Sequence, residues 1–312
     1  MLGLFSTLAG CATAQPLSSQ QGGPEPALPV SAVPQGPEVM GPPEPFGPPI
    51  SPPAAANGIS PIPVAQERSV VLVLGPGMAR GFAYVGVLQA LHDAKIPIGA
   101  ILGTEMGGLI GAVYATSHSI NQFEWALLKL KEELFVSKGL LSGVSEVSDG
   151  QALDGFIKQV FGKKEFSSTF IPLRIGVKLN PDWGAAVIDH GGLLQAVRAT
   201  IALPGVLAPV KFEWEGKNYT GSSSGKERPF LIEEAKALGI GPIIVVNVLS
   251  KKESEASRDA LAQADYELKP DLKGINYSDF KRKTDAAFRG KKAVFQNIIE
   301  IRRVLGGVII RE

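Results

Sequence analysis

The strongest constraint on the fold is a unit that occurs twice, in which an apolar strand runs into a glycine-rich turn and then a helix. Residues 69–74 read SVVLVL, a continuous β-branched run typical of a buried parallel strand. A turn over 75–81 and a helical pattern over 82–94 follow. The same order then recurs, with a strand over 97–102, a turn over 103–108 and a helix over 109–115. This order predicts a right-handed βαβ arrangement.

The rest of the chain continues the same α/β pattern. The predicted further strands cover 172–179, 184–188, 210–214, 218–220 and 242–248, with a turn at 215–216. The predicted further helices cover 121–134, 151–161, 193–202, 229–238 and most of 277–305. The sequence contains no internal repeat and no second boundary after residue 66. We therefore predict one α/β domain over residues 67–312, with a central, mostly parallel sheet between two layers of helices.

The first 66 residues differ sharply in composition from this domain. Of the 24 prolines, 15 lie between Pro16 and Pro63, a stretch without Lys or Arg and without a period of 2 or 3.6. Such a segment cannot bury enough apolar surface to offset the entropy of ordering. We interpret residues 12–66 as a disordered, semi-extended spacer. The alternative is a ligand for a protein partner that binds PxxP motifs.

Cys11, the single cysteine of the chain, ends the sequence Leu8-Ala9-Gly10-Cys11. This sequence is similar to a bacterial lipobox, in which the cysteine is lipidated after the preceding segment is removed. Residues 1–11 are therefore interpreted as a lipoprotein signal peptide, although they lack a basic start and are short. The alternative is a chance match in an alanine-rich start. The lipobox predicts a periplasm-facing lipoprotein of the bacterial envelope, with the outer membrane slightly favoured.

Charge and residue types narrow the classes of function. A net charge of +1 and the lack of a basic stripe with interleaved aromatic residues argue against nucleic-acid binding. A single cysteine and three dispersed histidines predict no metal site and no intramolecular disulfide. No apolar run approaches the length that spans a bilayer.

The two glycine-rich turns are the candidate sites for chemistry. The first, Gly75-Pro76-Gly77-Met78-Ala79-Arg80-Gly81, is suited to a phosphate site, an oxyanion hole or merely a tight turn. The second, Gly103-Thr104-Glu105-Met106-Gly107, has the form of the strained elbow that presents a nucleophile in α/β hydrolases. Glu105 occupies the position of that nucleophile.

Four segments, in the right order, resemble bacterial patatin-like phospholipases over about 69–280. They are Ala79-Arg80-Gly81 with the helix AYVGVLQAL, residues 98–107 (IGAILGTEMG), residues 196–206 (AVRATIALPGV) and residues 264–270 (ADYELKP). This resemblance implies a three-layer patatin-like fold, a membrane lipid as substrate or ligand, and no cofactor. It also implies a serine–aspartate dyad with an oxyanion hole of backbone N–H groups.

The chain departs from this family pattern at three catalytic elements. Glu105 replaces the serine, and Thr220 of Thr220-Gly221-Ser222 stands where the aspartate of the late motif belongs. Pro76 and Met78 take places that the family gives to glycine. Proline has no N–H to donate, and a methionine disfavours positive φ. Three changes together indicate that selection for hydrolysis was lost.

Glu105 has two interpretations at the sequence level. The favoured one is structural: its carboxylate accepts hydrogen bonds from the loop N–H groups that hold an oxyanion in the active relatives. The alternative is a nucleophile or general base with a raised pKa. Arg80 is expected to brace the loop or to pair with Glu105. Residues 222–224, all serine, are expected to form a flexible loop, and Asp189 and His190 a turn and helix cap.

Two functions from different classes follow. The first is a pseudoenzyme that binds lipid or acts as a scaffold at an envelope membrane. The second is an active lipid acyl hydrolase that uses a non-standard residue. A third hypothesis, a partner-binding module, would depend on residues 12–66.

Overall fold

The computed structural model describes residues 69–135, 148–180, 184–223, 228–250 and 255–306. The strands are β1 (Val70–Leu74), β2 (Ile98–Gly103), β3 (Leu173–Asn180), β4 (Gly184–Ile188), β5 (Val210–Trp214), β6 (Lys217–Ser222), β7 (Ile243–Val246) and β8 (Tyr266–Leu268). The helices are α1 (Ala83–Asp93), α2 (Met106–Ala115), α3 (Ile120–Leu128), α4 (Gln151–Phe161), α5 (Leu193–Thr200), α6 (Arg228–Leu238), α7 (Glu255–Leu261), α8 (Lys283–Gln296) and α9 (Ile298–Gly306).

The eight strands form a single sheet in which neighbours follow the order β5-β6-β3-β2-β1-β7-β8, with β4 also paired to β3. The pairs β1–β2, β1–β7, β2–β3 and β7–β8 are parallel. The pairs β3–β4, β3–β6 and β5–β6 are antiparallel. The mixed sheet thus has a parallel half around β1 and an antiparallel half beyond β3.

The position of β6 relative to β2 follows from the register on β3. Ile175 pairs with both β2 and β4, whereas Lys178 and Leu179 pair with both β4 and β6. A strand has two edges, so β4 occupies one edge and β2 and β6 share the other. The last residues of β6 therefore point toward the carboxyl end of β2. Two chain segments distant in sequence meet at this point of the sheet.

Helices cover both faces of the sheet. Val70, Leu72 and Leu74 belong to a large cluster with α1 and α2, whereas Val71 and Val73 belong to a smaller cluster with α6. This alternation along β1 is the expected period of 2 for a strand that is buried on both faces. The predicted α/β fold with helices on both sides of a mostly parallel core is confirmed.

Most element predictions are confirmed within a few residues, and two need correction. The helix predicted over 121–134 ends at Leu128, because the chain turns so that the carbonyl oxygens of Leu128 and Leu130 accept hydrogen bonds from Lys283 Nζ at 3.5 and 2.9 Å. Helix α7 was missed, since its polar sequence EASRDAL has no apolar period. The basic tail is helical as predicted but is divided at Asn297 into α8 and α9.

The N-terminal predictions, Cys11 and the spacer over 12–66, lie outside the described residues. Within the described ranges, no helix combines the length and hydropathy needed to cross a bilayer.

Candidate active site

The candidate active site is built on the turn between β2 and α2. Glu105 lies at its apex with φ 52° and ψ −123°, a backbone region that costs a non-glycine residue about 1–3 kcal/mol. Its backbone N–H donates to the hydroxyl of Thr200 at 2.9 Å, and that hydroxyl donates to the carbonyl oxygen of Gly176 at 2.7 Å. The turn therefore has the strained strand-to-helix geometry of a nucleophile elbow, with a carboxylate in place of the nucleophile.

Small residues around the elbow allow its close approach to β1. A Cβ on Gly107 would lie 2.2 Å from the carbonyl oxygen of Leu74. A Cβ on Gly103 would lie 2.7 Å from the carbonyl oxygen of Gly107. The N–H of Thr104 donates to the Leu74 carbonyl oxygen at 3.0 Å. Met106 packs against Gly81, where a Cβ would come within 2.4 Å of the Met106 side chain. The elbow and the first glycine-rich turn are thus in direct contact.

The carboxylate of Glu105 occupies the anion hole of the first turn. One oxygen, Oε1, accepts hydrogen bonds from the backbone N–H groups of Gly77 at 3.2 Å and of Met78 at 2.6 Å. Both donors lie at the start of the short 3-10 helix Met78–Phe82, which leads into α1. N–H groups at a helix start favour a negative charge. Glu105 is only 3% exposed, so its hydrogen bonds form in a largely dehydrated environment.

Pro76 and Met78, at two positions that the family gives to glycine, leave two donors of this hole in place. Met78 adopts φ 44°, the left-handed backbone that glycine favours, despite its side chain. Its N–H is therefore still directed at the anion position. Pro76 precedes the two donors, so its missing N–H removes neither of them. The donors of the hole persist although two of its glycines are replaced.

Arg80 braces the loop through hydrogen bonds to two other segments of the chain. Its guanidinium donates to the carbonyl oxygens of Val248 at 2.5 Å, Leu272 at 3.0 Å and Ile275 at 2.7 Å. Of the two roles expected for Arg80 from the sequence, these contacts correspond to bracing. Burial lowers the pKa of Arg80, with the nearby phenol of Tyr277 partly opposing that effect.

Tyr84 binds the first glycine-rich turn, and the charge of a second arginine, Arg228, acts on its phenol. Its hydroxyl donates to the carbonyl oxygen of Gly75 at 2.9 Å, and the side chain is fully buried. Burial raises the pKa of the Tyr84 phenol well above its ordinary value, the charge of Arg228 opposes this increase, and the charge of Glu105 adds to it. Tyr84 is therefore a neutral donor at neutral pH. Arg228, itself 3% exposed, also donates to Asn247 Oδ1 at 3.1 Å.

The register of β6 locates the residues that face the elbow. Gly103 pairs with Ile175 on β3, Ser222 pairs with Lys178 and Thr220 pairs with Asn180. At a rise of about 3.3 Å per residue, Ser222 lies roughly 10 Å along β3 from the Gly103 position and Thr220 roughly 17 Å. Thr220, which the sequence match puts at the aspartate position, is thus the more distant of the two.

The serines at the end of β6 differ from the flexible loop expected for them. Ser222 is the last residue of the strand, and Ser223 is fully buried with its N–H bonded to the carbonyl oxygen of Ala202. These two positions carry hydroxyls, which are not general bases of the strength of a carboxylate. Ser224 lies outside the described residues.

The remaining sequence candidates lie away from the elbow. Asp189 and His190 pair with each other at 2.8 Å on an exposed turn, and Gly192, not either of them, is the N-cap of α5. The described part of the chain contains no cluster of His, Cys, Asp and Glu suited to a metal ion.

Comparison with known proteins identifies the family to which the described domain is similar. The family model described as patatin-like phospholipase matches residues 72–221, a range that includes both glycine-rich turns and most of β6. Residues 72–221 therefore form a patatin-like phospholipase domain.

Several curated relatives of this patatin-like domain are much longer proteins. Patatin-like phospholipase domain-containing protein 6 of Mus musculus is 29% identical over 202 residues, which cover 62% of this chain and 14% of that protein. The human protein of the same name gives the same values. An uncharacterized NTE family protein of Mycobacterium tuberculosis is 32% identical over 153 residues, covering 46% of this chain and 40% of that protein.

Two solved structures are also similar to the patatin-like domain. VipD from Legionella pneumophila matches with a TM-score of 0.42 and 9% identity, covering 75% of this chain and 67% of that one. The type III effector ExoU matches with a TM-score of 0.38 and 14% identity, covering 75% and 53%.

Four residues of the site were not found from the sequence: Tyr84, Thr200, Arg228 and Asn247. Tyr84 and Thr200 lie within the segments that carry the family resemblance, but nothing in their spacing indicated a hydrogen bond to a turn more than a few residues away. Arg228 and Asn247 come together through packing of α6 against β7, which no local pattern reports.

Proposed function

We propose that this patatin-like domain is a pseudoenzyme that binds lipid, or acts as a scaffold, at an envelope membrane. The observation that carries the proposal is the pair of hydrogen bonds from Gly77 and Met78 to Glu105 Oε1. In a serine hydrolase, the corresponding N–H groups stabilise the oxyanion of the tetrahedral intermediate. Here a side chain of the protein itself takes that position.

Three features of the site oppose hydrolysis by the family mechanism. Glu105, at the apex of the elbow, carries no hydroxyl to attack an ester carbonyl, and β6 carries no carboxylate to accept the proton of such a hydroxyl. A substrate oxyanion would also have to displace an anion that is covalently fixed to the elbow. Removal of all members of such a unit typically leaves only the weak catalysis that arises from binding.

The lipid and membrane parts of the proposal have separate support. The match to the family supports a lipid ligand, because patatin-like phospholipases act on lipid substrates. The lipobox-like sequence ending at Cys11 supports a lipid anchor and a periplasm-facing lipoprotein, with the outer membrane slightly favoured. The proline-rich segment 12–66 supports a spacer and a docking segment for a protein partner. Loss of a co-purifying protein on deletion of 12–66, with Cys11 retained, would test the partner.

The second candidate function is a lipid acyl hydrolase that uses Glu105. The elbow geometry favours it, since φ 52° presents the Glu105 backbone as it would present a nucleophile. The contacts of the carboxylate oppose it, because an oxygen that accepts two backbone hydrogen bonds is a weaker nucleophile and base.

Fatty-acid release from phospholipid vesicles distinguishes the two functions. The full chain carrying Cys11→Ser, which removes any acyl anchor, is compared with the same chain carrying Glu105→Ala. The pseudoenzyme predicts equal, background release from both proteins. Release that is well above background and lost in the Glu105→Ala protein would overturn the proposal and make Glu105 catalytic.

A further inference from the structure

One surface of the domain combines exposed apolar side chains from three helices. We call it the α3–α8 face and define it by Trp125 and Leu128 of α3, Phe288 and Phe295 of α8, and Ile299 of α9. Their exposed fractions are 69%, 63%, 67%, 47% and 73%, respectively. Only two other large apolar side chains of the described residues, Phe170 and Ile240, are comparably exposed. Singly exposed apolar residues need no explanation, but a contiguous group marks an interaction site.

A groove connects Leu128 of α3 with Phe288 of α8 on this face. It has a volume of about 330 Å³ and runs between α1, α3 and α8. Leu128 and Phe288 lie on its two sides, and Val85 and Leu127 lie along its apolar wall. Phe295 follows Phe288 by seven residues, two turns of the same helix, so both side chains lie on one side of α8.

The C-terminal helices of the α3–α8 face are rich in Lys and Arg, whereas α3 contributes the acidic Glu124 to the groove. Residues 281–306 contain eight Lys or Arg and two Asp or Glu, which gives a formal charge of 8 − 2 = +6, whereas the whole chain has +1. Three of the basic residues are in ion pairs: Arg289 with Asp285 at 2.9 Å, Arg303 with Glu300 at 2.7 Å and Lys291 with Asp93 of α1 at 2.8 Å. Lys292 and Arg302 are exposed on α8 and α9. Positive charge and apolar side chains thus share one surface.

We infer that the α3–α8 face docks on an anionic phospholipid bilayer. Aromatic and aliphatic side chains flanked by Lys and Arg are the composition of helices that lie in the membrane interface. The apolar side chains enter the boundary between headgroups and acyl chains, and the basic residues pair with headgroup phosphates. The inference rests on the proposed membrane location, but it does not depend on whether hydrolysis was lost.

The charge of the α3–α8 face argues against a second copy of the chain as its occupant. A twofold dimer through this face would bring two surfaces of the same positive charge together, and like-charge juxtaposition disfavours association. An anionic bilayer instead complements the charge and accepts the apolar side chains.

Vesicle sedimentation tests the inference with the full Cys11→Ser chain. Vesicles of phosphatidylcholine alone are compared with vesicles that also contain phosphatidylglycerol, at low and high salt. One variant combines Phe288→Ser with Phe295→Ser, and another carries Lys292→Glu. The matched controls are Ile240→Ser, an exposed apolar residue elsewhere, and Lys217→Glu, an exposed basic residue on β6.

We expect binding to the anionic vesicles that weakens at high salt. The double phenylalanine variant should bind about tenfold or more weakly, since the two aromatic rings no longer transfer apolar surface from water into the bilayer. Lys292→Glu should weaken binding about fivefold, and both controls should bind like the parent protein. Equal binding to neutral vesicles, or unchanged binding by both face variants, would overturn the inference. So would a parent dimer that the double phenylalanine variant converts to a monomer.

The vesicle-binding experiment and the fatty-acid release assay test their two proposals independently. Release by the parent protein would overturn the pseudoenzyme and leave bilayer docking intact. Absence of vesicle binding would overturn docking and leave the occupied anion hole unaffected.

Discussion

Glu105 and Met78 hold each other in backbone conformations that neither residue favours. The N–H of Met78 donates to Glu105 Oε1 at 2.6 Å, and both residues have positive φ, 44° for Met78 and 52° for Glu105. The elbow conformation is needed to present a nucleophile, and the loop conformation is needed to direct an N–H at an oxyanion. Both have persisted in a protein that carries neither a serine at the elbow nor the family's glycine at position 78. The hydrogen bond between them now gives this geometry a structural role.

Replacing Glu105 with Ala should therefore destabilise the domain. The change removes both hydrogen bonds to the carboxylate, so the N–H groups of Gly77 and Met78 lose their protein acceptor. The free energy of unfolding should fall by about 1–3 kcal/mol. Denaturant unfolding of the full Cys11→Ser chain measures this difference.

Glu105→Gln is the matched control, because it keeps an oxygen acceptor and removes only the charge. It should lose less stability than Glu105→Ala. An alanine variant as stable as the parent protein would show that the contact to the loop contributes nothing to folding.

The sequence was sufficient to predict the sheet core and the two turns because their signals are local. The run VVLVL of β1 and the glycines that flank Glu105 each determine their own conformation. The structural interpretation of Glu105 also came from the sequence, since a carboxylate next to a helix start has an evident partner there.

The parts that could not be predicted depend on contacts between distant segments. The end of β6 lies near the elbow only because β6 and β2 share an edge of β3, and a sequence match alone put Thr220 at the aspartate position. The positive φ of Met78 could not be predicted either, because methionine disfavours that backbone region. In the structure, the hydrogen bond to Glu105 offsets that preference.

Helices α1 and α8 approach each other so closely that a side chain at their crossing should be destabilising. A Cβ on Gly290 of α8 would lie 1.9 Å from the carbonyl oxygen of Ala83 of α1. Gly290→Ala should therefore lower the free energy of unfolding by about 1–3 kcal/mol, because the backbones must move apart.

Gly155→Ala is the control for this prediction. Gly155 lies within α4 with no atom within 4 Å of an added Cβ. The change should stabilise the domain by about 0.5–1 kcal/mol, from helix propensity and the lower entropy of the unfolded chain. Thermal or denaturant unfolding of both variants measures the contrast, and two variants with the same sign would refute the close crossing.

Tyr84 should make the domain sensitive to alkaline pH. Its folded-state pKa is raised by burial above the unfolded value of about 10. The neutral phenol therefore contributes stability that is fully present below about pH 10 and is lost as the pH rises beyond that value. Tyr84→Phe should be about 1 kcal/mol less stable at neutral pH, because the Gly75 carbonyl loses its donor.

Above about pH 10, the difference between the parent protein and Tyr84→Phe should shrink. The pKa values of Tyr114 and Tyr266 are raised as well, and both tyrosines remain in the variant, so the comparison isolates Tyr84. Unfolding free energies measured across the alkaline range would contradict this account if the difference stayed constant.

The end of β6 offers a direct test of the proposal that the hydrolytic site was lost. Glu105→Ser returns a hydroxyl to an elbow that still has the strained backbone and frees the N–H groups of Gly77 and Met78. Alone, it should give no ester hydrolysis above background, because no carboxylate accepts the proton of the serine. Adding Ser222→Asp should raise hydrolysis of an activated ester by roughly 10²-fold, the lower end of what a positioned base contributes. Adding Thr220→Asp instead should not, because Thr220 lies about two residues, or roughly 7 Å, farther along β3.

The comparison requires that each protein be folded, which the thermal unfolding transition of each variant reports. A folded Glu105→Ser/Ser222→Asp protein without activity would show that more than the dyad was lost. Activity in the Thr220→Asp protein would restore Thr220 as the position of the base, as the sequence match predicts. Activity in the Glu105→Ser/Ser222→Asp protein, with none in the other two proteins, would mean that the sheet preserves the geometry of a hydrolytic site and that substitutions at two positions are enough to restore activity.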